Sequence, residues 1–217
     1  MGNLRAGLEV SLQIMSTASN APLGTASLLS TTADAWLEAV LGDFDTFLVD
    51  HAACERKASA MAMTFVVRYP DRDAILDPMI QLAREELAHF HAVFKLLQAR
   101  GLHFVTDQKD PYLNALLPHC RNDRKDRDSE FLDRLLMAGV VEARGCERFG
   151  RLADALEDAE LKQFYAEITA SESRHAQLFV DLASQYFDEA TIQERLGFWL
   201  ERDAEIIADL PPRAALH

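Results

Sequence analysis

The chain has 217 residues, 49% hydrophobic and 26% charged, with a formal net charge of −13. This composition suits one folded domain with a sizeable core, while the acidity argues against a generic nucleic-acid binder, which meets phosphates with a positive surface. The 3 cysteines, Cys54, Cys120 and Cys146, form no CxxC pair, which excludes a zinc knuckle or a rubredoxin-like iron site and fits a reducing, cytoplasmic location; no apolar run approaches the about 18 residues of a membrane span.

Residues 1–30 are Ser/Thr/Ala-rich and poorly patterned. Glu9 and Gln13 interrupt their apolar stretch, so they read as an N-terminal extension rather than a signal peptide. A short helix is predicted from Thr32, with a threonine cap before Asp34. Long helices are predicted over 43–69, ending before Pro70, and over 73–100, with Gly101 as the stop signal. A long connection follows, with one helical turn near 112–117. Three more helices are predicted over 127–156, 159–187 and 189–208. Four long helices, paired as two hairpins around a long middle connection, specify an all-α four-helix bundle over 31–210, with short flanking helices and 211–217 as a C-terminal tail.

Titratable residues crowd the second long helix in "REELAHFHAVF". Helical residues three, four and seven apart share a face. Glu86 and His89 share theirs with Met79, Leu82, Ala83, Val93 and Leu97, so both fall on the apolar stripe, whereas Glu85 and His91 fall off it and are expected in solvent. "ASESRHAQLF" repeats the pattern: Glu172 and His175 share a face with Tyr165, Ile168, Phe179 and Leu182. Each remaining long helix offers one inward glutamate, Glu55 among Leu48, Ala52, Ala62 and Val66, and Glu142 among Leu135, Ala138, Cys146 and Phe149. Each hairpin therefore supplies an inward Glu followed, 31 or 30 residues later, by Glu-x-x-His.

Four inward carboxylates without partners would cost several kcal/mol each, against a domain stability of about 5–15 kcal/mol. No arginine lies on those stripes. Two divalent ions would compensate all four acids and use both imidazoles, and oxygen-rich ligation with one imidazole per metal suits Fe or Mn better than structural Zn. One Glu from each of two helices and Glu-x-x-His from the other two is the pattern of ferritin-like di-iron and di-manganese proteins. Around this set, His51 either donates to the Glu55 carboxylate or is a simple boundary histidine. Gly139 and Gly145, flanking Glu142, serve close helix approach or leave room for oxygen and a substrate side chain. Tyr165 is a core aromatic with a second possible use in electron or proton transfer. The run "RNDRKDRD" reads as a solvated loop, or as an RNA contact through Arg121, Arg124, Lys125 and Arg127.

The stretches "LAREELAHFHAVFKLLQARG", "GVVEARGCERFGRL" and "FYAEITASESRHAQLFVDLA", with "FLVDHAACERKAS" and "TADAWLEAVL", closely resemble the bacterial tRNA-(2-methylthio-isopentenyladenosine) hydroxylase family over residues 32–205. The resemblance implies a ferritin-like non-haem di-iron monooxygenase that hydroxylates the isopentenyl side chain of a modified adenosine beside the anticodon. It implies two carboxylate-bridged Fe ions, O₂ as co-substrate and tRNA as substrate, with Glu86 and Glu172 bridging, Glu55 and His89 completing one ion, and Glu142 and His175 the other. One oxygen atom enters an allylic C–H bond and the other leaves as water, which consumes two electrons. The chain has no GxGxxG or CxxC motif, so an external donor of the ferredoxin or flavin-reductase type is expected. The competing reading is a ferritin-like ferroxidase with the same ligands and no organic substrate. The oligomeric state is not encoded in any of these features.

Overall fold

A computed structural model describes residues 28–105, 110–120 and 126–217. Among these, seven α-helices follow in order: α1 (Asp34–Gly42), α2 (Phe44–Arg68), α3 (Asp73–Ala99), α4 (Pro111–Leu116), α5 (Arg127–Ala155), α6 (Ala159–Ser184) and α7 (Glu189–Asp209), with a 3₁₀ turn at Leu117–His119. No strand occurs among the described residues. The expected four-helix bundle with flanking helices is what forms. α2 packs chiefly on α3 and α5 on α6, as two antiparallel hairpins, and α7 lies against the back of α5.

Local chemistry explains the boundaries. Asp43, Asp110, Asp126, Asp158 and Asp188 each accept backbone N–H groups in the first turn of the helix that follows. α3 ends in a left-handed residue, Gly101 at φ 71°, with Leu102 N donating to Leu97 O at 2.9 Å and Gly101 N to Gln98 O at 3.0 Å. That pair of bonds is a Schellman closure, which glycine makes without steric cost. Pro78 lies within α3 and removes one intrahelical donor in its second turn.

The threonine cap expected for α1 does not form: Ala33 occupies the N-cap with no side-chain bond. Thr32 turns inward instead. Its N–H donates to Glu147 Oε1 at 3.0 Å and its hydroxyl to Glu147 Oε2 at 2.5 Å. Behind it lies a buried ionic network in which Arg144 pairs with Asp203 at 2.5 Å and Glu147 at 3.1 Å, and Tyr112 donates to Asp203 at 2.7 Å. The segment 211–217, expected as a tail, packs onto the bundle. Trp36 Nε1 donates to Ala215 O at 2.8 Å, Leu216 N donates to Asp50 at 2.7 Å, and Ala215, Leu216 and His217 are buried.

The apolar core comes in two halves. One gathers Phe65, Ile75, Met79, Leu132, Phe179 and Leu196; the other gathers Trp36, Phe47, Leu97, Phe149 and Tyr165. Along each of α2, α3, α5 and α6 the inward face passes from one half to the other, and the stripe glutamates fall at the crossing.

Candidate metal centre

Glu55, Glu86, Glu142, Glu172 and His175 are all buried, and His89 keeps 17% of its side chain exposed. Helical spacing puts them there: each sits one turn from an apolar residue of either core half, so the packing that buries the stripe also buries the acid. His89 Nδ1 lies 3.6 Å from Glu55, 3.4 Å from Glu86 and 3.5 Å from Glu172. His175 Nδ1 lies 2.7 Å from Glu86 and 3.4 Å from Glu172.

Two overlapping quartets result. One oxygen or nitrogen each from Glu55, Glu86, His89 and Glu172 lie within 4.8 Å of one another, as do those from Glu86, Glu142, Glu172 and His175. Glu86 and Glu172 belong to both. Both Glu86 oxygens, Glu172 Oε1 and the Nδ1 atoms of His89 and His175 are buried with no hydrogen-bond partner, despite those short separations. The donor atoms face shared points rather than one another, which is the geometry of a cation cradle and not of a hydrogen-bond network.

The electrostatics agree. Burial pushes Glu142 well above the usual carboxyl range, reinforced by Glu172 and Glu86, and pushes Glu55 up to about 8. Burial also raises Glu172. It opposes ionisation of Glu86 too, but the close imidazoles of His175 and His89 hold that carboxyl below its ordinary value. For the histidines burial disfavours the charge, yet the facing carboxylates win, lifting His89 to about 10 and His175 to about 12. The cluster balances its acids with protons that a pair of divalent ions would replace.

Two supports lie behind this shell. His51, fully buried, places Nε2 at 2.5 Å from Glu55 Oε1 and Nδ1 at 3.2 Å from the Tyr165 hydroxyl. It is therefore no boundary histidine; burial drops its imidazole to about 3. Glu85, expected in solvent, is half-exposed but meets His175 Nε2 at 3.0 Å, with Arg174 3.6 Å behind it. Sequence periodicity missed Glu85 because it lies at the edge of the stripe, where α3 faces α6. His91 is exposed as expected.

A cavity of about 210 Å³ opens beside the carboxylates, lined by Glu55, Glu86, Glu142 and Glu172 and by apolar walls that include Met61, Leu113, Met137, Val141, Phe149 and Leu216. Gly145 also lines it. A Cβ built there would meet only Phe149, at 3.9 Å, so this glycine leaves room in the cavity rather than permitting a close helix approach.

Of the residues expected to touch RNA, Arg121, Arg124 and Lys125 lie outside the described residues. Arg127 is engaged within the fold, donating to Asp71 at 2.9 and 3.1 Å and to Arg68 O at 2.6 Å.

Paired helical hairpins converging on two Glu-x-x-His motifs and two further glutamates define the ferritin-like class of helical bundle. A solved structure described as "Protein 43 with aldehyde deformylating oxygenase activity from Synechococcus" superposes with a TM-score of 0.82 at 32% identity, covering 88% of this chain and 94% of that one. Within this class, the chain belongs to the tRNA-(MS[2]IO[6]A)-hydroxylase (MiaE) family, which matches residues 21–217. The match extends beyond the 32–205 read from the motifs, at both ends. A tRNA 2-(methylsulfanyl)-N(6)-isopentenyladenosine(37) hydroxylase from Pseudomonas putida is 38% identical over 176 residues, covering 81% of this chain and 84% of that protein. A relative of the same name from Salmonella typhimurium is 35% identical over 133 residues, covering 61% of this chain and 47% of its own length.

Proposed function

We propose that this chain hydroxylates the isopentenyl side chain of 2-methylthio-isopentenyladenosine beside the tRNA anticodon, at two iron ions held by Glu55, Glu86, His89, Glu142, Glu172 and His175. The observation that supports this most directly is the pair of donor quartets sharing Glu86 and Glu172 at one end of an apolar cavity. The unpartnered buried donor atoms fit a dinuclear cation. Oxygen-rich ligation with one imidazole per ion favours iron, with manganese as the second choice.

Bound there, two ferrous ions supply O₂ activation, so that R–H, O₂, two electrons and two protons yield R–OH and water. The side chains do the rest. Glu86 and Glu172 hold both positions together. Glu55 with His89, and Glu142 with His175, complete one each. His51 and Glu85 orient a carboxylate and an imidazole from behind. The apolar walls exclude water and direct an alkyl group toward Glu142. Residues 31–210 form the catalytic bundle on this reading. The electrons come from an external ferredoxin or flavin reductase, since the chain has no motif for a flavin, nicotinamide or iron–sulfur carrier of its own. No described helix is long and apolar enough to cross a membrane.

A ferroxidase would use the same ligands but would have no use for an apolar cavity abutting them. The deciding experiment incubates iron-loaded, reduced protein with O₂ and substrate-bearing tRNA, then examines the nucleosides by mass spectrometry. Gain of one oxygen atom on the modified adenosine is expected. Iron oxidation that ignores RNA and leaves the nucleoside unchanged would replace this reading with the ferroxidase.

A further inference from the structure

The cavity has a polar end that the chemistry above leaves unused. Lys57, two residues beyond Glu55 on α2, lines it and is half-buried. Asp110 and His217 line it as well. His217 stacks on Tyr112 at 5.0 Å and 17°, and its Nδ1 is buried with no hydrogen-bond partner among the described residues. Arg213 Nε donates to the main-chain oxygen of His217 at 2.9 Å, and Arg213 and Lys57 both act electrostatically on Asp50. Lys57 is thus the one cation among the residues described as lining this cavity.

Lys57 differs from several guanidiniums of the described fold. Arg68 is paired with Glu130, Arg127 with Asp71 and Arg195 with Asp133. Lys57 shows no direct ion pair among the described residues and acts on Asp50 only through its longer-range field. A chain of net charge −13 repels a polyanion over most of its surface, so an RNA must land where positive charge is not already neutralised. A half-buried lysine lining a largely apolar cavity suits an alkylated nucleotide, its stem able to pack against the alkyl group and its ammonium against a phosphate.

We propose that Lys57 anchors a backbone phosphate of the RNA at the cavity opening, so that the RNA docks on the face made by α2, α4 and segment 211–217. This rests on the hydroxylase reading. Lys57 is a positioning residue; it touches neither the metal ligands nor the alkyl group. His217, neutral and unpartnered, is placed to meet the polar edge of the base.

The test uses the iron-loaded full chain and an anticodon stem-loop RNA bearing the substrate nucleoside, with affinity measured across a salt series. Lys57→Ala should weaken binding and lower the slope of log affinity against log salt by about 0.7–0.9. Lys57→Glu should weaken it further, Lys57→Arg should restore it, and the loss should fall on KM rather than kcat. Metal content, measured alongside, should match the parent, which separates docking from damage to the bundle. Wild type that binds and hydroxylates the RNA, with Lys57 variants of unchanged affinity and slope, overturns the docking face alone. A defect confined to reduction by the electron-donor protein also overturns it and assigns the rim to that donor. Wild type that neither binds nor hydroxylates the RNA removes the underlying function as well.

Discussion

His51 Nε2 stands 2.5 Å from Glu55 Oε1, one helical turn away, while its other nitrogen faces the Tyr165 hydroxyl at 3.2 Å. A neutral imidazole can donate at one nitrogen and accept at the other. Once Glu55 is ionised, as metal ligation requires, it can only accept, so Nε2 carries the ring proton and the Tyr165 hydroxyl donates to Nδ1. Glu142 shows no equivalent brace among the described residues: position 138, one turn earlier, is alanine. The two halves of the centre are built from the same motif but supported differently, Glu55 by His51 and His175 by Glu85.

That asymmetry makes the first prediction. His51→Ala should weaken metal binding at the Glu55–His89 position by about 10- to 100-fold, with little change at the other. Titration with ferrous or cobaltous ion should change from two tight equivalents to one tight and one weak. Tyr165→Phe should give a smaller shift in the same direction. Equal weakening of both equivalents would mean that His51 supports the bundle rather than one ligand.

Metal uptake should release protons. His89 and His175 are raised to about 10 and about 12, and Glu55 to about 8, so at neutral pH each carries a proton that coordination must displace. Apparent affinity therefore rises with pH and falls as the solution is acidified. Calorimetry in buffers of different ionisation heat should show net proton release per metal bound. Heats that are identical across buffers would contradict this charge assignment. His89→Ala and Glu172→Ala should lose metal while keeping their helical circular dichroism.

A side chain at Gly145 would meet only Phe149, at an ordinary contact distance of 3.9 Å from its Cβ. Gly145→Leu should fill part of the cavity beside Glu142. The expected result is full metal content with turnover of the tRNA reduced by at least about tenfold, the scale of a displaced substrate group. Unchanged turnover would place the alkyl group elsewhere.

Arg144 is fully buried between Asp203 and Glu147. Arg144→Ala strands Asp203 in the core without its cation, which should cost about 3–5 kcal/mol. The urea midpoint should fall at constant slope. A loss below about 1 kcal/mol would show that water or a rearranged partner replaces the guanidinium.

The sequence made the helices and the inward ligands legible for one reason. α2, α3 and α6 each bury a single stripe, and a period near 3.6 reports a single stripe well. α5 does not obey that condition. It meets α6 on one side and α7 on another, so Arg144, Glu147 and Arg148 are buried on faces that a one-stripe reading assigns to water. Thr32 was misread for the same reason: its hydroxyl meets Glu147, a partner 115 residues away, instead of the nearby helix start. Glu85 and the packing of Ala215, Leu216 and His217 likewise depend on tertiary neighbours and leave no trace in local spacing.

The division of the core into two apolar halves has a consequence for how such a protein can change. Every ligand-bearing helix is clamped above and below its acid, so the metal cradle has the rigidity of the whole bundle and cannot be re-aimed by loop movement. Variation in what is admitted must therefore be sought at the rim, in Lys57, Leu113 and the strap ending at His217, where substitutions disturb neither clamp. New substrate preferences are open to selection at that rim, and a new metal geometry is not.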